Sequence, residues 1–124
     1  MQYDICGIIL KVSYPTMGDT SQIQILGKSM LEWVRLSLAD SFYAAIDYDP
    51  DVLLPQLLKP YIIPSDYTVV LYSDTPLITR KTVLDAVHEL ANSSDNLIRL
   101  TRGFIFKTKF ILNTNDINGG QHRF

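Results

Sequence analysis

The sequence predicts an α/β fold, with a small and mostly parallel sheet that carries helices on both faces. Apolar segments of strand length alternate along the chain with segments that have helical periodicity. This alternation is typical of parallel sheets, because each helix returns the chain to the edge where the next strand begins. We expect strands over 4–10, 42–48 and 67–73, and helices over 29–40, 51–59 and 80–92.

Start signals support the three predicted helices. Ser29 is a candidate N-cap for the first helix, and Thr79 is a candidate N-cap for the third. The Asp-Pro-Asp sequence at 49–51 favours the start of the second helix, which Pro55 should make short or kinked. The first and third helices have apolar stripes formed by Met30, Leu31, Val34 and Leu38 and by Val83, Leu84, Val87 and Leu90.

The last third of the chain predicts two more strands, over 97–101 and 103–112, with Gly103 between them. Residues 11–27 are expected to form an irregular polar connection. We expect residues 1–112 to form a single domain and residues 113–124, which are rich in Asn and Gly, to form a loose tail.

The composition excludes several classes of protein. The chain of 124 residues is 47% hydrophobic and 19% charged, so it is globular and not disordered. A net charge of −2 gives no electrostatic reason to bind nucleic acid or an acidic membrane. Cys6 lies in an apolar run, so we expect a buried residue and not a reactive thiol. A single cysteine and the absence of a visible N-terminal signal predict a cytoplasmic protein.

The segment Val69–Thr79 is the most informative part of the sequence. Its apolar residues run directly into a Ser-Asp-Thr-Pro sequence at 73–76, and a predicted helix follows. Buried parallel strands end in this way at a ligand crevice. The three parallel strands should end near Lys11, Asp49 and Asp74, along one edge of the sheet. An aspartate there is able to hold a divalent cation against a phosphate-bearing ligand.

Three segments, in the same order, resemble the sugar-nucleotidyltransferases, and above all the uridylyltransferases that make UDP-N-acetylglucosamine. Val69–Thr79 is similar to the family's VLVLYGDTPLIT, and residues 27–34 (GKSMLEWV) are similar to its GKPMLEHV. Ile8–Leu10 resembles the start of its IILAAGKGTRM, and residues 100–108 give a weaker fourth similarity. The matched segments span residues 8 to about 108, but fewer than half of the positions between them match.

The resemblance implies a Rossmann-like sheet and an Mg²⁺-dependent reaction. In that reaction a sugar 1-phosphate attacks the α-phosphate of a nucleoside triphosphate and releases pyrophosphate. Asp74 matches the metal-binding aspartate of the family, and Thr75 matches the turn that follows it. Lys11 and Lys28 are the candidates, together with Thr75, for binding a nucleotide or sugar phosphate.

The family's phosphate-binding loop is not recognisable in this sequence. In the family, the loop after the first strand is rich in glycine and contains an arginine, and its backbone N–H groups surround the triphosphate. Here the loop at 11–19 has one glycine, Gly18, and contains the bulky or donor-free residues Val12, Tyr14 and Pro15. These side chains prevent a backbone from wrapping closely around phosphates.

Other parts of the family's site also have no counterpart. A second lysine would fall near residues 22–24, where there is none. Only 17 residues separate Asp49 from Tyr67, where the family has its nucleobase- and sugar-binding segments. No residue can be assigned to the asparagine that completes the family's metal site.

Each candidate also has an ordinary structural interpretation. Asp74 is equally well explained as a metal ligand and as a polar cap on the turn that follows it. For Lys28 we favour a solvated surface lysine, and for His88 an exposed helix residue. His122, in the tail, is assigned no role. The aspartates at 47, 49 and 51 are best explained by turn and cap positions.

Charged and aromatic residues alternate in the last predicted strands. The cations are expected to face solvent, although they are also able to meet an acidic partner or a phosphate; they are Arg99, Arg102, Lys107 and Lys109. The aromatic residues favour core packing over an exposed dimer patch; they are Phe104, Phe106 and Phe110.

Together these observations favour a shortened nucleotidyltransferase-like protein without independent catalysis. It would bind a nucleotide or sugar phosphate weakly, or regulate a full-length relative. One alternative is an active Mg²⁺-dependent nucleotidyltransferase with a divergent or partner-completed site. The other is a non-catalytic module in which the surface of residues 97–112 pairs with a second copy or with another protein. Nucleic acid and membrane are not expected as partners.

Overall fold

The computed structural model describes residues 3–14, 18–75 and 77–112. The first half of the chain contains β1 (Ile5–Lys11), the short hairpins β2 (Ser13–Tyr14) with β3 (Gly18–Asp19) and β4 (Gln24–Ile25) with β5 (Lys28–Ser29), then α1 (Met30–Leu38) and β6 (Phe42–Asp47). The second half contains α2 (Leu54–Leu58), β7 (Tyr67–Tyr72), α3 (Arg80–Ala91), β8 (Leu97–Leu100), β9 (Gly103–Lys107) and α4 (Thr108–Leu112).

The main sheet has five strands in the order β6-β1-β7-β9-β8. Strand β1 lies between β6 and β7 and pairs with both in parallel. Strand β9 runs antiparallel to β7, and β8 runs antiparallel to β9. The predicted fold class is therefore confirmed, and the carboxyl ends of β6, β1 and β7 form one edge, called here the carboxyl edge.

Helices cover both faces of this sheet. On one face, α1 and α3 pack through Val34, Leu38, Val83, Val87 and Leu90 against Ile9, Val69, Leu71 and Ile105. On the other face, Leu58 of α2 and Ile111 of α4 pack against Ile8, Leu10, Val70, Phe104 and Phe106. Neighbouring residues of β1 and β7 point to opposite faces, so both strands are buried on both sides, as their continuous apolar sequences predict. Phe104 and Phe106 are in the core, as expected.

The predicted caps of the first and third helices are confirmed. The Oγ of Ser29 accepts a hydrogen bond from the N–H of Glu32, and the Oγ1 of Thr79 accepts one from the N–H of Thr82. The second helix is shorter than the predicted 51–59, and Pro55 lies in its first turn, where a proline causes no kink. The carboxylate of Asp49 instead accepts a hydrogen bond from the N–H of Asp51 in the turn before that helix.

Two predictions about the chain outside the parallel strands are wrong. The strand predicted over 103–112 ends at Lys107, because the buried Thr108 begins α4 and bonds through its hydroxyl to Thr68 and Ser65. The connection predicted to be irregular over 11–27 contains the hairpin β2–β3, a 3₁₀ turn at Thr20–Gln22 and β4, which pairs with β5. The predicted tail at 113–124, with His122, lies outside the described residues.

Candidate functional site

The loop that follows β1 is bound to the end of β7 by a buried hydrogen-bond network. The N–H of Val12 donates to the Oγ of Ser73 at 2.9 Å, and the hydroxyl of Thr20 lies 3.0 Å from the same oxygen. Thr20 also donates to the carbonyl of Val12 at 2.7 Å. All three residues are buried, so side chains fill the space between the loop and the strand end.

Asp74 follows this network and carries an ion pair with Arg102. The Nε of Arg102 lies 3.1 Å from Oδ1 of Asp74, and its Nη2 lies 2.8 Å from Oδ2. The hydroxyl of Tyr14 donates to the same Oδ2 at 2.6 Å. Both oxygens of the carboxylate therefore accept hydrogen bonds from side chains of this chain. A two-point contact of this kind fixes the plane of the guanidinium as well as its charge.

Arg102 is held from a second direction by an aromatic ring. Its guanidinium carbon lies 4.4 Å from the ring centroid of Tyr72, and the ring of Tyr48 lies 5.7 Å from that of Tyr72. Stacking on an aromatic face favours arginine over lysine, because the guanidinium is planar and weakly hydrated.

The pKa values of this cluster follow from its geometry. Burial raises the pKa of Asp74, but the hydrogen bonds from Arg102 and Tyr14 outweigh it, so the net pKa is below its usual value. The hydrogen bond to Asp74 raises the pKa of the Tyr14 hydroxyl. Burial lowers the pKa of Arg102, but its bonds to Asp74 and the nearby negative charge leave it above its usual value. Asp74 is thus an anion and Arg102 a cation at neutral pH.

The other candidate residues have these positions. Lys11 ends β1, and its Nζ lies 3.4 Å from the carboxylate of Asp47 at the end of β6. The ammonium of Lys28 lies 5.1 Å from the ring centroid of Trp33, in the hairpin before α1. The carbonyl of Thr75 accepts a hydrogen bond from the N–H of Ile78 at 3.4 Å, which leads the chain into α3. Their roles in ligand binding stay predictions.

The arrangement around Asp74 does not fit a divalent metal ion. Mg²⁺ requires oxygen ligands at about 2.0–2.1 Å in near-octahedral geometry. Both oxygens of Asp74 are already bonded to Arg102 and Tyr14. Among the described residues, no group of three or more His, Cys, Asp or Glu side chains is close enough together to hold a metal ion.

Two further residues of interest have structural contacts. Cys6 is buried in the core, and burial raises the pKa of its thiol, which disfavours the reactive thiolate. His88 is exposed on α3, and its Nδ1 lies 3.2 Å from the hydroxyl of Tyr3.

In the part of the chain that the structure describes, no helix has the length and hydropathy needed to cross a bilayer.

Sequence reasoning missed both side-chain partners of Asp74 and the hydrogen-bond network beside it. From the sequence alone, Tyr14 is only an obstacle to phosphate binding, and nothing indicates that Ser73 and Thr20 bond to each other. For Arg102, as for the other late cations, the sequence favours a solvated face. Its position between two predicted strands, directly before Gly103, was the available signal, because it places the side chain in a hairpin turn.

Comparison with known proteins supports the fold. No protein-family model matches the sequence, and no curated protein matches it at a significant level. Among solved structures, the chain is similar to 2-C-methyl-D-erythritol 4-phosphate cytidylyltransferase from Thermus thermophilus, with a TM-score of 0.60 and 14% sequence identity. The similarity covers 86% of this chain and 71% of that one. The chain therefore has a nucleotidyltransferase-like fold.

Proposed function

We propose that this protein uses a nucleotidyltransferase-like fold to bind a nucleotide or sugar phosphate at the carboxyl edge, and that it does not catalyse nucleotidyl transfer by itself. The observation that carries this proposal is the engagement of Asp74: Arg102 and Tyr14 together bond to both of its oxygens. A catalytic site needs several groups that act together on the reacting atoms, and this carboxylate already has its partners within the chain.

The closed loop after β1 supports the same conclusion. Phosphates bind to loops whose N–H groups point outward from a glycine-rich backbone. In this protein the N–H of Val12 donates to Ser73 and the N–H of Thr20 donates to the carbonyl of Val12. These N–H groups are bonded inside the protein and do not face a ligand.

Two partly exposed cations at the carboxyl edge are the groups that a phosphate-bearing ligand would contact. Lys11 and Arg102 are both partly exposed there, with 29% and 41% of their side chains accessible to solvent. Strand ends of parallel sheets are the usual position of such ligands. The sequence resemblance to uridylyltransferases suggests UTP and UDP-N-acetylglucosamine as first probes. The structural similarity to the cytidylyltransferase adds CTP.

Binding is tested by thermal unfolding with each probe, with and without Mg²⁺. A ligand at 100 times its Kd stabilises by about 2.7 kcal/mol, which is several degrees for a chain of this size. We expect a bound probe to raise the unfolding temperature, and we expect a smaller rise in Lys11→Gln. The matched control is Lys81→Gln, which removes another lysine paired with an aspartate, on α3. No shift at millimolar probe would contradict the binding proposal.

Catalysis is tested separately by pyrophosphate release. The substrate pairs are UTP with N-acetylglucosamine 1-phosphate and CTP with 2-C-methyl-D-erythritol 4-phosphate, each with Mg²⁺. The Thermus enzyme with the second pair is the positive control. We expect no release above the protein-free blank. Release that is lost in Asp74→Asn would instead identify an active enzyme, the first alternative.

Edge-strand pairing supports a second candidate function, dimerisation. Among the strands that the structure describes, β8 lies at the edge of the main sheet and pairs on one side with β9. An exposed edge strand is able to pair with a strand of another chain. A charged residue on the strand, such as Arg99, disfavours this pairing. Light scattering after size exclusion measures the mass. A monomer at about 100 µM protein would exclude a homodimer with a Kd well below that concentration.

A further inference from the structure

We infer that Arg102 is the resident cation of the carboxyl edge and that this site takes its phosphate-bearing ligand without a divalent metal. The inference rests on the proposed function above, because it concerns the same ligand and the same edge. It departs from the Mg²⁺ dependence that the sequence resemblance implies.

Arg102 occupies the positions that a metal ion would need. Its Nε and Nη2 lie 3.1 and 2.8 Å from the two oxygens of Asp74, and the Tyr14 hydroxyl lies 2.6 Å from Oδ2. A cation that approached this carboxylate at bonding distance would have to displace the guanidinium. Arg102 therefore competes with any metal ion for the carboxylate of Asp74.

The backbone and an aromatic ring keep Arg102 in place. It stands with Thr101 in the two-residue turn between β8 and β9, where Leu100 pairs with Gly103. Gly103 approaches the backbone of Val70 so closely that an added Cβ would lie 2.3 Å from the Val70 carbonyl oxygen. The turn is therefore packed against β7, and the stack on Tyr72 fixes the guanidinium above that strand. Displacement of the guanidinium would break its contacts with both Tyr72 and Asp74.

The exposure of the pair shows which partner meets a ligand. The side chain of Asp74 is 15% exposed and that of Arg102 is 41% exposed. Only two of the five N–H groups that a guanidinium carries donate to Asp74. A phosphate that approaches this edge therefore meets a guanidinium whose anionic partner is covered. Phosphate oxygens accept hydrogen bonds from arginine without any bridging metal.

The other charges of the edge are also balanced within the chain. Lys11 lies 3.4 Å from Asp47 and also contributes positive charge near Asp19. Within residues 3–14, 18–75 and 77–112, no cluster of three acidic or other metal-ligating side chains is found near these pairs or elsewhere. Lys11 and Arg102 therefore provide positive charge at the edge where a metal ion would otherwise be needed.

Paramagnetic broadening by Mn²⁺ tests the metal part of the inference without any nucleotide. Mn²⁺ is added to ¹⁵N-labelled protein, and the amide signals of Tyr72, Ser73 and Thr75 are followed. In the native protein we expect these signals to broaden no more than that of Asp95, in an exposed loop. In Arg102→Gln, which removes the charge and leaves a shorter, neutral and polar side chain, we expect several-fold more broadening next to Asp74.

A matched control is available for this variant. Arg35 also pairs with a carboxylate, Glu32, and lies over an aromatic ring, Phe42, but it stands on α1. Arg35→Gln should leave the signals around Asp74 unchanged. If Arg102→Gln does not fold, Arg102→Lys keeps a point charge without the two-point contact, and we expect intermediate broadening.

Two outcomes would overturn the metal part of the inference. One is strong Mn²⁺ broadening around Asp74 in the native protein that Asp74→Asn abolishes. The other is an Arg102→Gln or Arg102→Lys variant that is folded and gains no broadening, since Arg102 would then not be what excludes the ion.

The ligand part is tested by titration with UTP in EDTA and in Mg²⁺. We expect Kd values within about threefold of each other and a loss of at least tenfold in affinity in Arg102→Gln, with no loss in Arg35→Gln. Binding that requires Mg²⁺ would overturn this inference and leave the proposed binding function intact. Absence of binding in both buffers would contradict the binding function instead, and the Mn²⁺ experiment would still decide the metal question.

Discussion

The N–H of Val12 donates a hydrogen bond to the Oγ of Ser73 at 2.9 Å, across 61 positions of sequence. This bond joins the loop after the first strand to the end of β7. Because Thr20 bonds to both residues, the contact belongs to a closed network in which each hydroxyl has a partner. The network determines the shape of the carboxyl edge next to Asp74.

Removal of the Ser73 hydroxyl should destabilise the protein. Ser73→Ala leaves the buried N–H of Val12 without its acceptor, which costs about 1–3 kcal/mol. Urea unfolding followed by circular dichroism measures the change. Ser94→Ala, in an exposed loop, is the control and should change stability by less than about 0.5 kcal/mol. An equal effect of both substitutions would show that the network does not stabilise the fold.

Substitution of Gly103 should be among the most destabilising changes in the chain. Its φ of +141° is disfavoured for other residues, and an added Cβ would lie 2.3 Å from the carbonyl oxygen of Val70. We expect Gly103→Ala to cost about 3 kcal/mol or more, or to prevent folding.

Gly27 offers the matched control for this prediction. It also has a positive φ, +86°, but an added Cβ would have nothing within 4 Å. Gly27→Ala should therefore lower the free energy of unfolding only by the cost of a positive φ, about 1–2 kcal/mol. Urea midpoints of the two variants separate backbone strain from the clash with β7, and similar values would refute the clash.

The ion pair of Asp74 should make stability depend on pH. The pKa of Asp74 is depressed in the folded protein, so its contribution is fully present above the unfolded value, near 3.9, and is lost as pH falls through the folded pKa. We expect Asp74→Asn to cost about 1–3 kcal/mol at pH 6, with a difference from the native protein that shrinks below about pH 4.

Chemical denaturation at pH 6 and at pH 3 measures this difference. Asp47→Asn is the control at the same edge, because the Asp47 carboxylate pairs with Lys11 but is 88% exposed. Its cost at pH 6 should be below about 0.5 kcal/mol. A constant difference between Asp74→Asn and the native protein at both pH values would show that the carboxylate is not stabilised as an anion.

A substitution at Leu26 should stabilise the protein. Leu26 has a φ of +50° at the tip of the β4–β5 hairpin and is 88% exposed, so the strain is not offset by burial. Asparagine adopts this conformation more readily and forms favoured hairpin turns with a following glycine. Leu26→Asn should therefore raise stability by about 0.5–1 kcal/mol.

Leu77→Asn is the control for the Leu26 prediction. Leu77 is 89% exposed but has no positive φ, so the same chemical change should leave the free energy of unfolding within about 0.5 kcal/mol. Equal stabilisation by both variants would indicate an effect of surface hydrophobicity and not of backbone strain.

Local patterns were sufficient to predict the parallel half of the fold. The continuous apolar runs at β1 and β7 indicate strands buried on both faces, and the caps at Ser29 and Thr79 indicate where α1 and α3 begin. These signals lie within a few residues of the element they specify, because periodicity and capping are local properties. The strand predicted to continue past Lys107 was wrong because its end depends on Thr108, whose partners are distant in sequence.

The candidate site was predictable only in part. Asp74 was identifiable, because a polar residue at the end of a buried strand lies at the ligand edge. Its ion pair with Arg102 and its hydrogen bond from Tyr14 were not identifiable, because these partners are 28 and 60 positions away in the sequence. They reach it only when β9 reverses against β7 and the hairpin β2–β3 folds back over the strand end.

The sequence by itself determined the class of the fold, the positions of the parallel strands and of α1 and α3, and the placement of Asp74 at the carboxyl edge. The tertiary structure alone decided that Arg102 and Tyr14 bond to both oxygens of that carboxylate and that Ser73 closes the loop after β1. The physical reason is that periodicity acts over a few residues, whereas an ion pair depends on strand order and register. Those are set by packing of the whole sheet.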